Sequence, residues 1–425
     1  MQIQNCRVCQ SKNIKQFFDL GRQALANSLL KSPDEKEETY PLALFWCADC
    51  NLVQLGYTVD PGILFSHYVW VTGTSKGANE FAEKFYAETV LRTGNLNGKY
   101  VLEIASNDGT FLKPFQNGGA KVLGIDPAEN IAEIANKNGV PTKALFFGTD
   151  TAREILKTEG PAQFVFARNV LPHVANTRDF VEGLALSVAD EGIVAIEAHS
   201  AKIILEELHY DSIYHEHLCY FTFKSLERLL NDFGLFIFDI AKSPISGGSM
   251  VVYAEKNQKS LLLPPRRDSG GQAKVKNQND AARNYRDDEM KNKTNELASW
   301  ENFAKQSAAH RDKLNALLRE AQKNGVIVGW GASARSSTML NFCGIDSSLI
   351  SSIIDKNPLK KGLFTAGTHI PIVSPEEGMR QNPQTVCILA WNFKEEIIEE
   401  LKNKFGFKGG YVIPLPGEPR AENSK

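Results

Sequence analysis

Four of the seven cysteines fall in two Cys-x-x-Cys pairs, Cys6/Cys9 and Cys47/Cys50. Two chelating turns of soft thiolates are the donor set of tetrahedral Zn²⁺. Four protein ligands leave no position for water, so such a metal stabilises a small module and takes no part in chemistry. A second set lies in YDSIYHEHLCYF, where Tyr214, His215, Glu216, His217 and Tyr220 crowd into one short stretch. His-Glu-His lacks the spacing of His-Glu-x-x-His, so the two histidines do not share a helical face as zinc ligands and metalloprotease chemistry is disfavoured. Acid/base chemistry fits better, because an imidazole with a pKa of ~6.5 is the natural proton acceptor near neutrality. In an extended segment, alternation puts His215 and His217 on one side and Tyr214 and Glu216 on the other, which leaves the choice of histidine open.

A ligand turn comes earlier. YVLEIASNDGTFLKPF reads as a strand, a tight turn and a helix start, with Glu103 near the strand end and Gly109 where the helix begins. Ala105 and Asn107 stand where a dinucleotide fingerprint has its first glycines. Asp126 closes the second strand, where a carboxylate accepts both hydroxyls of an unphosphorylated ribose. A turn and carboxylate of this kind serve NAD or S-adenosylmethionine equally well. Tyr68, in FSHYVWVTGTSKG, either folds over the ligand or packs between modules. Gly331 and Arg335 occupy another strand-to-helix turn in VIVGWGASARSS, where backbone amides and a guanidinium hold phosphate, unless the turn is merely tight.

The elements that must position these groups follow from pattern. The chain has 425 residues, 42% hydrophobic and 23% charged, with 48 basic against 50 acidic side chains. That is a globular protein of two or three domains without the positive field that holds a phosphate backbone, so nucleic acid is not an expected partner. No window has the apolar length of a membrane span, the N-terminus lacks a secretory plan, and unscattered cysteines point to a reducing, cytoplasmic setting. Residues 1–65 form a module that needs a staple. Within 66–256, the runs YVLEI, KVLGID, FVFARNV, GIVAIEA, LFIFDI and MVVYAE alternate with helical patterns, predicting a mostly parallel sheet closed by an antiparallel edge pair. That closing pair is the plan of seven-stranded methyltransferases, which turns the choice toward S-adenosylmethionine. Residues 257–295 read as a polar linker or helix start. Leu297, Trp300, Phe303, Ser307, Leu314, Leu317 and Ala321 step as an amphipathic helix with a glycine cap at Gly325, opening a second α/β unit over 296–425.

Taken in order, the paired Cys-x-x-Cys module, EIASNDGTFL, YHEHLCYF, GGSM and GWGASARSSTMLN followed by IIDKNP resemble the three-domain sugar-nucleotide C-methyltransferases that make 3-C-methyl branched deoxysugars. The resemblance spans nearly the whole chain. It implies an N-terminal zinc module, a central seven-stranded Rossmann-like domain for S-adenosylmethionine, and a C-terminal Rossmann-like α/β domain that helps enclose a nucleotide-linked 4-keto sugar. It also implies roles. His217 resembles the family's base, with Tyr214, Glu216 and Tyr68 lining the sugar pocket and His215 beside the substrate, while Glu103, Ala105, Asn107, Gly109, Asp126 and Asn169 lie where the cofactor is held. Ser246 replaces the family's usual His before Gly-Gly-Ser, and Ser336 replaces a common Gly, departures that bear on which sugar is used. Two other functions compatible with parts of the pattern are RNA methylation and idle sugar-nucleotide binding; the first calls for a basic face and the second for a degraded Tyr214-to-His217 cluster. Oligomeric state is not encoded in any of these features.

Overall fold

The computed structural model describes residues 1–65, 71–256 and 278–423. Strands β1 to β17, numbered in chain order, form three sheets among these residues. The first sheet has the order β1-β2-β3-β9, from Ile14–Ala24, Thr39–Cys47, Val53–Leu55 and Cys219–Tyr220. The second has seven strands in the order β10-β11-β8-β7-β4-β5-β6. Its members are β4 Tyr100–Ile104, β5 Lys121–Asp126, β6 Thr142–Ala144, β7 Ala162–Arg168, β8 Val188–His199, β10 Phe236–Ser243 and β11 Ser249–Glu255. All neighbours pair in parallel except β11, which runs antiparallel to both β8 and β10. The third sheet, β14-β13-β12-β15-β16-β17, comprises Ile372–Val373, Ser352–Ile354, Ile327–Trp330, Thr385–Ile388, Gly410–Ile413 and the antiparallel edge Arg420–Asn423.

Burial explains the pattern. β7 and β8 are covered on both faces, so they read as continuous apolar runs and not as alternating ones. Strand order reverses at β4, which has β5 on one side and β7 on the other, and the crevice at its carboxyl end is where an open α/β sheet receives ligands.

The long helix spans Leu297–Gln322 and buries Trp300, Phe303, Ser307, His310, Leu314 and Leu318. Leu318 is buried where Leu317 was expected, and Leu317 is half-buried beside it. The helix stops at Lys323, in right-handed conformation, and not at a glycine cap; Gly325 lies beyond it at φ 137°. Its Trp300 and Phe303 meet Phe17 and Phe18 of β1 with ring centroids 6.0 Å apart in each pair, so this helix braces the N-terminal module. Of the polar stretch 257–295, residues 257–277 lie outside the described residues and Gln278–Lys291 is helical. Tyr68 and the side chain of Ser246 also lie outside the described set.

Candidate active site

The four thiols of the N-terminal module converge. Cys47 ends β2, Cys50 follows in the next turn, and Cys6 and Cys9 sit in the turn before β1; all four Sγ atoms lie within 4.8 Å of one another. The Cys6–Cys50 and Cys9–Cys47 sulfurs are 3.5 Å apart, close to the ~3.8 Å edge of a tetrahedron with ~2.3 Å Zn–S bonds. Sulfur-to-sulfur hydrogen bonding pushes Cys47 down and Cys6 and Cys50 up from the ordinary thiol range, a conflict that a divalent cation at the centre removes. The donor set fits zinc.

The turn after β4 carries the marks of a ligand cradle. Ala105 and Asn107 adopt φ of 57° and 50°, left-handed values that strain Ala and that Asn tolerates better than most side chains, and Asn169, just past β7, lies at 51°. Three such residues at adjacent strand ends hold their backbone where a fingerprint would use glycine. Gly109, at φ 81°, is required: a Cβ there would meet Val140 at 2.7 Å. Asp126, buried at the end of β5, accepts the Asn107 and Ala128 amides at 2.9 and 3.0 Å, one on each oxygen. Each oxygen keeps a further acceptor site, as ribose hydroxyls need. Burial raises its pKa, opposed by those two amides. Glu103 is buried too, its Oε2 lacks a hydrogen-bond partner, and desolvation drives its pKa well up against the pull of Arg168. An orphaned carboxyl oxygen and the orphaned Ser106 hydroxyl beside a strained turn mark a site built for a polar ligand. The segment before the helix Lys76–Thr93 closes on it, with the Thr72 and Gly73 amides donating to Asn107 and Asp108 at 2.8 and 2.9 Å.

The histidine-rich segment is turned and not extended. The His217 amide donates to the Tyr214 carbonyl at 2.9 Å, so alternation does not apply and His215 and His217 face different ways. Tyr214 and His217 come together, Oη to Nε2 at 2.8 Å, whereas His215 Nε2 lies 3.3 Å from the Tyr40 carbonyl and Glu216 meets Asn27. His217 Nδ1 is 2.8 Å from the Ser212 carbonyl. A carbonyl only accepts, so Nδ1 carries the proton and Nε2 is left as the acceptor. His173, which the sequence reading did not single out, stands 4.8 Å from His217 between ring centroids, edge to face. Burial, then the neighbouring His173, holds His217 well below the usual histidine range. Burial alone takes His173 and His215 to about 4 against backbone hydrogen bonds that raise them, and lifts Glu216 to about 7 against the pull of Asn27. The Leu218 amide donates to the Pro172 carbonyl at 2.8 Å, which fixes this segment to the loop after β7 that also contains Asn169.

From the C-terminal unit, Arg335 enters this neighbourhood but is already paired. Its Nε and Nη2 donate to the two oxygens of Asp211 at 3.0 and 2.8 Å, and its guanidinium stacks on Trp391, whose Nε1 also donates to Asp211 at 2.8 Å. The turn at Gly331 spends its amides inside the fold: Gly331 donates to Ile354, Ala332 to Asp355 and Ser333 to Ser336. The turn closes a capping box in which Ser336 is a partner. Asp211, Trp391, His173 and Asn27 carried no signal of their own in the sequence beyond residue type.

Comparison with known proteins follows these three regions. Residues 6–65 match the family model of a zinc binding domain, residues 78–238 that of a methyltransferase domain, and residues 244–416 that of a C-methyltransferase C-terminal domain. The C-methyltransferase NovU of Streptomyces niveus is 30% identical over 421 residues, 98% of this chain and 96% of its own. The chain belongs to the C-methyltransferase family. Among solved structures, the magnesium protoporphyrin IX methyltransferase of Synechocystis PCC 6803 with bound SAM aligns at TM-score 0.33 and 16% identity over 43% of this chain and 80% of that one. A methyltransferase from Aquifex aeolicus aligns at TM-score 0.31 and 17% identity over 41% and 97%.

As an S-adenosylmethionine-dependent C-methyltransferase, the protein needs a methyl donor site and a means of making carbon nucleophilic. Among the described residues no helix is long and apolar enough to cross a membrane.

Proposed function

We propose that the protein transfers a methyl group from S-adenosylmethionine to a carbon next to the keto group of a nucleotide-linked 4-keto deoxysugar, through an enolate. The observation that carries this reading is the buried Tyr214–His217 pair with Nδ1 tied to Ser212. Carbon beside a carbonyl becomes a nucleophile only when its proton leaves, and that proton needs an acceptor that stays neutral until called upon. Burial keeps His217 neutral and Nε2 is its free lone pair once Tyr214 turns away. In this scheme Nε2 takes the carbon-bound proton, the Tyr214 hydroxyl shifts its donation to the enolate oxygen, and the new imidazolium is compensated by the enolate charge. S-adenosylmethionine held at the turn after β4 would supply the methyl to the enolate carbon, whose electron pair would make the new C–C bond while the C–S pair stays on sulfur as a neutral thioether. His173 and Tyr220 wall the pair, His215 meets the Tyr40 carbonyl, and Glu216, held by Asn27 of the N-terminal module, is proposed to line the sugar pocket beside them.

Glu103, Ala105, Asn107, Gly109, Asp126 and Asn169 are the residues proposed to hold the donor, and Cys6, Cys9, Cys47 and Cys50 the zinc. The substrate reading rests on the motif resemblance and on the C-terminal unit's docking beside His217 through Arg335 and Asp211. The formal charge of −2 disfavours a nucleic-acid substrate, and seven free thiols favour a reducing, cytoplasmic setting. The modules are taken as 1–65, 66–256 and 296–425, with 257–295 connecting them. Incubation with S-adenosylmethionine and a panel of nucleotide 4-keto sugars, followed by mass spectrometry, tests the reading. One added methyl on carbon, in a sugar fragment, is the expected result; a methyl on oxygen, or no transfer to any member while another small molecule is methylated, overturns it.

A further inference from the structure

The N-terminal module reaches past its metal ligands into the histidine-rich segment. β9 belongs to that module's sheet, with Val53 paired to Tyr220 and Gln54 to Cys219. The Leu55 amide donates to the Leu218 carbonyl at 2.9 Å, one residue from His217. The module also sends a side chain. Asn27, on the loop after β1, donates from Nδ2 to Glu216 Oε1 at 2.6 Å across 189 residues of sequence. Glu216 is 7% exposed while Asn27 is open to solvent, so the amide caps a buried carboxyl from the open side.

We infer that Asn27 is a positioning residue for methyl transfer, a side chain of the N-terminal module that fixes the Glu216 carboxyl in the active-site wall. The inference rests on the proposed placement of Glu216 beside the reacting sugar. A buried carboxyl without this amide would lose the side-chain hydrogen bond that Asn27 gives it and be free to turn within the turn Tyr214–His217. Burial lifts its pKa and the Asn27 amide pulls it back, so the amide also sets where it titrates. At the carboxyl of Glu216 stands Asn27 from the module; His173, on the loop after β7, hydrogen-bonds the Glu216 backbone, and Tyr214, His215 and His217 are its neighbours in the turn. The three histidines are held neutral by burial, so Asn27 is the side chain that opposes the rise.

The test compares Asn27→Ala, Asn27→Gln and Glu216→Gln in the full zinc-loaded chain, reading kcat and KM against pH, zinc content, melting temperature and affinity for S-adenosylhomocysteine. Asn27→Ala is expected to lower kcat by ~10-fold, the worth of one such hydrogen bond. The ionisation limb near neutrality should move to higher pH and be lost in Glu216→Gln, with zinc content and S-adenosylhomocysteine affinity unchanged. Asn27→Gln should recover part of kcat. If Glu216→Gln loses the limb but Asn27→Ala keeps the wild-type kcat and limb, the positioning role is overturned and the placement of Glu216 stands. If Glu216→Gln keeps the wild-type profile, the placement fails and the inference with it. Joint loss of zinc and activity in both Asn27 variants would make Asn27 a folding residue and overturn the inference as well.

Discussion

The Tyr214 hydroxyl lies 2.8 Å from His217 Nε2, and the opposite nitrogen of the same ring donates to the Ser212 carbonyl at 2.8 Å. The carbonyl settles the tautomer, and the tautomer decides which atom can receive a proton. His217→Asn should therefore lower turnover by ~10²- to 10⁴-fold, the usual worth of a positioned general base. Tyr214→Phe keeps the base but removes the donor to the enolate. It should also lower kcat, with KM changed little, in steady-state assays of methyl transfer.

Asp126 offers a separate test of the donor site. Asp126→Ala removes acceptors from the ribose and frees the Asn107 amide, so S-adenosylmethionine should bind more weakly by roughly 1.5 to 3 kcal/mol. Calorimetry reads this directly, and an unchanged affinity would take Asp126 out of the site.

Metal analysis should find about one zinc per chain, since one tetrahedral set of thiolates is present. Cys47→Ser should lose that metal. Because β9 pairs with β3 of the same module, metal loss should lower kcat as well as the melting temperature, although zinc touches no substrate. A Cys47→Ser protein with full metal and wild-type melting would remove the cluster from the account.

The titration of the site predicts a stability profile. Glu216 is raised to about 7, so folding takes up a proton between the unfolded carboxyl value and neutrality, and stability falls as pH rises through that window. Glu216→Gln removes this penalty and should be more stable than wild type at mildly alkaline pH, by up to roughly 3 kcal/mol. His173 and His215 are depressed to about 4, so the unfolded chain binds more protons below the ordinary histidine value and stability is lost as pH falls from there toward 4. Denaturant midpoints across pH check both slopes.

Arg335 separates a structural from a phosphate-binding role. Arg335→Met leaves the buried Asp211 carboxylate without its counter-charge, with the Trp391 indole still donating to it, which should cost about 3 kcal/mol of stability. The double change with Asp211→Asn should recover much of that. A single variant with unaltered stability and a raised KM would instead return Arg335 to the substrate.

Much of this was legible in sequence where function is written locally. Spacing alone gives the cysteine cluster, because chelation demands neighbouring turns. The turn after β4 was legible by its place, even without glycines, since Ala105 and Asn107 take the left-handed conformation that glycine would take freely. The histidine segment was legible by type and not by direction: one turn hydrogen bond, from the His217 amide to the Tyr214 carbonyl, removes the alternation. Partners brought from afar were not legible. Asn27 meets Glu216 across 189 residues and Arg335 meets Asp211 across 124, and neither contact leaves a period or spacing in the chain.

The central claim is that His217 makes a carbon nucleophile before any methyl moves. Incubating wild type and His217→Asn with a nucleotide 4-keto sugar in deuterium oxide, without methyl donor, tests it most directly by NMR at the carbon beside the keto group. The account predicts deuterium incorporation at that carbon with wild type and its loss in His217→Asn. Exchange at the wild-type rate in the variant would contradict it.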